Sequence, residues 1–124
     1  MKVKIKTTIE DVRVMTIFLF SYINSYNTST YNESIVIHLI NIKKLRDKFL
    51  IHSENNSHKK LKSKCSLAVE INQLKSLFWA LNTAKQLSPV DIIDAKDKYL
   101  SIVSINWHNQ YQNILENIYT NNIL

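Results

Sequence analysis

One short segment of this chain combines side chains that can bind a phosphate and transfer protons. Arg46, one of only two arginines, is followed by Asp47, and His52 comes six residues after the arginine. A guanidinium binds a phosphate through two parallel hydrogen bonds, and an imidazole exchanges protons near neutral pH. The segment therefore suggests chemistry on RNA, with Arg46, Asp47 and His52 as the candidate catalytic residues.

This pattern, an arginine and a polar residue before a short apolar run that ends in histidine, resembles the motif of the HEPN superfamily. Members of that family are small α-helical proteins, and many are metal-independent ribonucleases. The resemblance covers the nine residues from Lys44 to His52. It implies a homodimer in which both copies line one cleft, with His52 as base and acid, Arg46 on the phosphate and Asp47 orienting Arg46 or the facing histidine. It also implies a toxin-antitoxin or anti-phage role, with a protein partner such as an antitoxin.

Lysines surround and follow this motif. Fourteen of the sixteen basic residues are lysine, and the formal net charge is +6. Lysines bind the backbone of RNA with salt-dependent affinity and little sequence preference, although a charge run is also typical of a solvated surface. The predicted RNA-binding residues are Lys48, Lys59, Lys60, Lys62 and Lys64.

The composition excludes several classes of site. Glycine is absent, so glycine-rich phosphate loops and dinucleotide fingerprints are ruled out. Cys65 is the single cysteine and cannot form an internal disulfide, which favours a reducing compartment. The apolar run from Val14 to Phe20 is too short to span a membrane, which takes about 20 residues. We expect a cytoplasmic protein that needs no metal or cofactor and does not bind membranes.

Apolar residues recur at helical spacing along most of the chain, which predicts one all-α domain over 1–124, an antiparallel bundle of four main helices. Thr7–Glu10 and Thr30–Glu33 match capping boxes, Ser66 is placed to cap a third helix, and Ser88-Pro89 is a strong start signal for the fourth. The predicted helices span 8–26, 31–53, 66–87 and 88–119, with a turn at 27–30 and a mobile basic loop at 54–65.

The second predicted helix is apolar on more than one side. One seam, expected to face the core, consists of Ile35, His38, Ile42, Leu45, Phe49 and His52. Other apolar residues lie elsewhere around the cylinder, namely Val36, Ile37, Ile40, Leu50 and Ile51. Because a helix that is apolar on two sides must bury both, the pattern predicts a homodimer through residues 31–53.

Two other functions stay open beside the ribonuclease. Glu54 stands where many catalytic members of that family have a tyrosine, which favours a non-catalytic helical module that binds nucleic acid, such as a small ribonucleoprotein subunit. The long fourth helix instead favours a protein-binding regulator, for instance a phage-encoded inhibitor. Because His52 also continues an apolar seam, the sequence is equally compatible with a buried core histidine near a helix end as with a catalytic one.

Overall fold

The computed structural model describes residues 1–25, 32–87 and 95–123, and most of these residues are helical. The elements in chain order are β1 (Lys2–Thr8), α1 (Ile9–Ser25), α2 (Glu33–Asn55), β2 (Lys64–Glu70), α3 (Ile71–Leu87) and α4 (Ala95–Ile123). The predicted predominance of helix is confirmed, but β1 and β2 form a two-stranded antiparallel sheet, so the prediction of a purely all-α chain is wrong. The predicted turn at 27–30 and the helix start at Ser88-Pro89 lie outside the described residues.

The sheet arises from alternation of apolar and polar residues on both strands. Val3 and Ile5 of β1 are buried and lie opposite Val69 and Leu67 of β2. Side chains on a strand alternate between its two faces, so this spacing of two buries one face of each strand. Leu67 was therefore wrongly assigned to a helix capped by Ser66, and α3 begins only at Ile71.

The helix starts differ slightly from the predicted capping boxes. Thr8 caps α1, because its Oγ1 accepts a hydrogen bond from the backbone N–H of Asp11 at 3.2 Å. Asn32 caps α2 by accepting from the backbone N–H of Ser34 at 3.1 Å, and the helix begins at Glu33. Each side-chain oxygen satisfies an N–H that has no partner within its helix. Both capping positions are thus one or two residues later than predicted.

Helix α2 packs between α1 and α3, while α4 packs across β1, α1 and α3. Ile42, Leu45 and Phe49 of the predicted seam are fully buried. The Phe49 ring meets the buried Trp107 of α4 edge to face, with the ring centroids 5.7 Å apart. This arrangement confirms the core-facing seam at Ile42, Leu45 and Phe49 and confirms Trp107 as a core residue. The other seam residues, Ile35, His38 and His52, are only half-buried.

Within the described ranges, no helix is both long enough and apolar enough to cross a bilayer.

Candidate nucleic-acid interface

The guanidinium of Arg46 is already engaged within the chain. Its Nε donates to Asp47 Oδ1 at 3.1 Å, and a terminal nitrogen lies 3.1 Å from the same oxygen. The guanidinium carbon lies 5.1 Å from the centre of the Phe20 ring on α1, within the range of a cation–π contact. Arg46 thus joins α2 to α1, and a phosphate would have to displace Asp47 to use the same donors.

The imidazole of His52 is half-buried, and one of its ring nitrogens is buried without a hydrogen-bond partner among the described residues. Burial, and then the positive charge of Lys59, lower the pKa of His52 below 6.5. Its Nδ1 is shielded from solvent and has no hydrogen-bond partner among the described residues, and neither has the adjacent Ser53 Oγ. The imidazole is therefore neutral near pH 7, which is the state that a general base requires.

The structure pairs two of the predicted catalytic residues, Arg46 and Asp47, and places His52 apart from them. A six-residue step on a helix turns the side-chain direction by about 120° from its starting point. Arg46 accordingly contacts Phe20 on α1, whereas His52 lies near Lys59 in the turn after α2. Asp47 points to solvent beside Arg46 and is 62% exposed.

Four lysines share the outer face of the sheet, and we call them the lysine face: Lys2, Lys4, Lys6 and Lys64. All four side chains are exposed, while the residues between them on β1 point into the core. Side chains two positions apart on a strand are about 6.8 Å apart. The antiparallel register sets Lys64 opposite Thr8, at the end of the ribbon beyond Lys6. The face is therefore a row of evenly spaced positive charges along β1, with one more on β2.

The other predicted RNA-binding lysines lie around this face. Lys59, Lys60 and Lys62 are exposed in the turn between α2 and β2, directly before Lys64. Lys48 of α2 is half-buried, and its pKa is lowered by burial and then by the charge of Lys2, with Glu70 acting in the opposite direction.

The turn itself is held in place by backbone hydrogen bonds. The backbone N–H groups of Ile9 and Glu10, at the start of α1, donate to the carbonyls of Ser63 and Leu61 at 3.0 and 2.9 Å. These bonds satisfy donors at the α1 terminus, so the end of the turn that leads into β2 is fixed rather than a free loop.

Helix α4 holds the opposite side of β1. The side chain of Gln110 accepts from the backbone N–H of Lys6 at 2.8 Å and donates to the carbonyl of the same residue at 2.7 Å. Beneath the strand, Trp107 Nε1 donates to Thr7 Oγ1 at 2.9 Å. The lysine face therefore rests on a strand that is paired on one edge and anchored on the other.

A buried carboxylate completes this anchor. Asp11 accepts hydrogen bonds from the hydroxyl of Thr7 at 2.6 Å and from the hydroxyl of Tyr99 on α4 at 2.5 Å. Burial, and then the hydrogen bond to Asp11, raise the pKa of Tyr99 well above its usual value, so this hydroxyl stays a donor. One carboxylate thus links β1, α1 and α4.

A cleft of about 470 Å³ opens where the lysine face meets this anchor. Lys6 and Lys64 line it, together with the hydroxyl-bearing Thr8 and Ser66 and the thiol of Cys65. Burial, and then the charge of Asp11, raise the pKa of Cys65, so the thiol remains protonated and unreactive near pH 7. Thr7, Asp11 and Asn106 complete the lining. The two ammonium groups and the hydroxyls favour a phosphate there, whereas the Asp11 carboxylate opposes it.

Sequence analysis did not assign a function to Lys2, Lys4 or Lys6. Their signal was visible in the strict alternation of lysine with valine and isoleucine from Lys2 to Lys6, which is typical of a strand exposed on one side. The predicted first helix begins at residue 8 and leaves this segment outside any element, so its lysines are not connected with Lys64 by the sequence.

No protein family, curated protein or solved structure compared with the chain matches it. Over the parts of the chain that the structure describes, there is also no group of three or more His, Cys, Asp or Glu side chains placed to hold a metal ion. The site is therefore defined by its geometry as a basic two-stranded ribbon on a helical support.

Proposed function

We propose that this protein binds RNA through the lysine face, with the turn lysines Lys59, Lys60 and Lys62 and the neighbouring Lys48 extending the contact. The observation that carries the proposal is the row of lysines at about 6.8 Å spacing on an anchored strand. A nucleic-acid strand also carries its negative charges at regular intervals, one for about every 3.4 Å of helix axis in double-stranded DNA. Consecutive lysines can therefore each meet a phosphate of the same strand.

The chemistry of the face favours contact with the backbone over base recognition. Its other residues are Thr8, Ser66, Ala68 and Glu70, and Glu70 is already paired with the amino terminus at 3.2 Å. Hydroxyls and ammonium groups donate to phosphates, whereas no aromatic ring on this face offers a surface for stacking. The expected binding is salt-dependent and largely independent of sequence.

A triple substitution tests this proposal. Lys4→Gln, Lys6→Gln and Lys64→Gln together should lower the slope of log affinity against log salt by about 2 for single-stranded RNA, since each contact contributes about 0.7. If these contacts act by counterion release alone, the affinity at 0.1 M salt should fall by about 100-fold. The measurement is fluorescence anisotropy of a labelled RNA between 50 and 200 mM salt.

A matched control removes the same charge elsewhere. Lys43, Lys75 and Lys98 are exposed and lie on α2, α3 and α4 rather than on the ribbon. Their triple glutamine variant should bind almost like the parent. An equal loss in both variants would show that only net charge matters, and an unchanged affinity in the first variant would refute the proposed face.

RNA cleavage is a second candidate function, and the neutral imidazole of His52 favours it. Because its Nδ1 is shielded from solvent, Nε2 would be the atom that exchanges the proton. In this reaction a base takes the proton of a ribose 2′-hydroxyl, whose oxygen attacks the adjacent phosphorus. An acid protonates the 5′-oxygen that leaves, so the products are a 2′,3′-cyclic phosphate and a 5′-hydroxyl. His52 would act as base or acid, and Arg46 would stabilise the charged phosphate after exchanging Asp47 for it. The family resemblance implies that a second copy, in a homodimer, completes the site.

Cleavage and binding are separable in one set of variants. His52→Ala should abolish cleavage and leave RNA affinity nearly unchanged, because proton transfer contributes to rate and little to ground-state binding. Arg46→Lys should be almost as damaging, since an ammonium cannot replace the guanidinium fork. EDTA should have no effect, and His58→Ala, at an exposed position in the turn, is the control. If the parent protein binds RNA but does not cleave it, the nuclease proposal is refuted and the RNA-binding proposal stands.

A further inference from the structure

The solvent side of α2 carries a stripe with the spacing of a coiled coil. Its members, separated by alternating steps of three and four residues, are Ile37, Ile40, Lys44, Asp47 and Ile51. At about 100° per residue these five side chains fall within an arc of about 80°. The three isoleucines are 53%, 48% and 57% exposed. We call these five residues the α2 stripe.

The α2 stripe lies on the side of the helix opposite its core contacts. Ile42, Leu45 and Phe49 are fully buried and are centred roughly 150° away around the helix. The apolar side chains of the stripe therefore point away from the core that the described residues form. Covering them would remove apolar area from water, at about 25 cal/mol for each Å².

We propose that the α2 stripe binds a second copy of the chain, with the two α2 helices antiparallel. In one register, Ile40 of each copy faces Ile51 of the other, and Lys44 of each copy faces Asp47 of the other. In an antiparallel coiled coil, the first heptad position of one helix faces the fourth heptad position of its partner. Lys44 and Ile51 are at the first position and Ile40 and Asp47 at the fourth, so this register satisfies that rule. This dimer goes beyond RNA binding and does not depend on it.

The charges identify the partner as a second copy in this orientation. Antiparallel pairing places opposite charges together in both central layers. Parallel pairing would set Lys44 against Lys44 and Asp47 against Asp47, which is unfavourable. Both contacts from Arg46 fall on Asp47 Oδ1, so Oδ2 remains for the lysine of the other copy. Four of the five stripe residues thus face complementary stripe residues, while Ile37 faces Glu54 of the other copy at the edge of the interface.

The antiparallel α2 pairing keeps the two copies of His52 apart. In the proposed register, His52 of one copy faces position 39 of the other, so the two histidines are about 20 Å apart along the helices. A cleft shared by both histidines would need a different interface. The α2 pairing and the shared-cleft nuclease therefore exclude each other, whereas RNA binding by each lysine face is compatible with the pairing.

Cysteine cross-linking tests the register. In a Cys65→Ser background, one chain carries Ile40→Cys and another carries Ile51→Cys. Mixed and oxidised, the two should form a disulfide-linked heterodimer, because a disulfide needs Cα atoms within about 7 Å. Each variant alone should remain uncross-linked, since its two cysteines would be about 16 Å apart along the helices. The register would be overturned if each variant cross-linked on its own, or if the mixture of the two variants formed no disulfide.

Charge exchange tests the same pairing without cysteine. Lys44→Glu alone and Asp47→Lys alone should each weaken self-association at least tenfold in sedimentation equilibrium, because each creates two like-charge layers. Mixing these two variants should restore a heterodimer with two opposite-charge layers, while Lys43→Glu, outside the stripe, should dimerise like the parent. A monomeric parent protein, or single variants that dimerise normally, would refute the pairing. Because no RNA is present, failure here is distinct from failure of the lysine face in RNA binding.

Discussion

Replacing Asp11 with alanine should destabilise the protein, because it removes the hydrogen bonds that link β1, α1 and α4. The Asp11 side chain is buried and accepts hydrogen bonds from the hydroxyls of Thr7 and Tyr99, and Thr7 in turn accepts from Trp107. A hydrogen bond to a charged group contributes about 1.5–3 kcal/mol to stability. With two such bonds lost, the free energy of unfolding should fall by about 3–6 kcal/mol.

Urea unfolding followed by helical circular dichroism measures this loss. Small domains have about 5–15 kcal/mol of stability, so the variant should lose a large part of its total. Glu10→Ala, next to Asp11 but only half-buried, is the matched control and should cost less than about 1 kcal/mol. The m-value should stay unchanged if only the folded state is affected.

A double-mutant cycle separates the hydrogen bond from general damage. Tyr99→Phe should cost about 1.5–3 kcal/mol in the parent and close to nothing once Asp11 is alanine. The two single losses would then exceed the loss in the double variant by that coupling energy. If Tyr99→Phe costs the same in both backgrounds, the hydroxyl and the carboxylate act independently and the proposed anchor is wrong.

We expect the stability to depend on the protonation of His52 and on the packing of Trp107. Stability should fall as pH decreases from about 7 to 5, because burial lowers the pKa of His52 in the folded chain and the unfolded chain, at about 6.5, takes up the proton first. In His52→Gln the urea midpoint should fall less between pH 7 and pH 5 than in the parent, whereas the control His58→Gln, at an exposed position, should behave like the parent. If the urea midpoint depends on pH equally in all three proteins, His52 is not the source of the dependence. Trp107→Phe should cost about 1–3 kcal/mol through a lost hydrogen bond and a residual cavity. Tyr119→Phe, at a side chain that is 72% exposed, should be nearly neutral by the same measurement.

Local periodicity was sufficient to predict most of the helical structure. The seam that includes Ile42, Leu45 and Phe49 was correctly assigned to a buried helix face, and Trp107 was correctly placed in the core. The second apolar side of α2 was also visible, and its isoleucines are exposed. These predictions succeed because side chains three and four residues apart share a helix face whatever the rest of the chain does.

The sheet and the site depended on contacts between distant segments. Leu67 and Val69 suit either a helix or a strand over so short a run, and only pairing with Ile5 and Val3 selects the strand. That pairing also moves Lys64 out of the predicted loop onto one surface with the lysines of β1. No local window contains both strands, so the lysine face was invisible as a unit.

The same division holds for the candidate catalytic residues. Their types and order in α2 are properties of the sequence, and these alone suggested phosphate binding and proton transfer. The tertiary structure decided that Arg46 makes a cation–π contact with Phe20, while His52 is half-buried near Lys59 and its Nδ1 has no partner among the described residues. The physical reason is that a side chain's available hydrogen bonds and its pKa depend on neighbours from other elements, which folding brings together and sequence spacing does not specify.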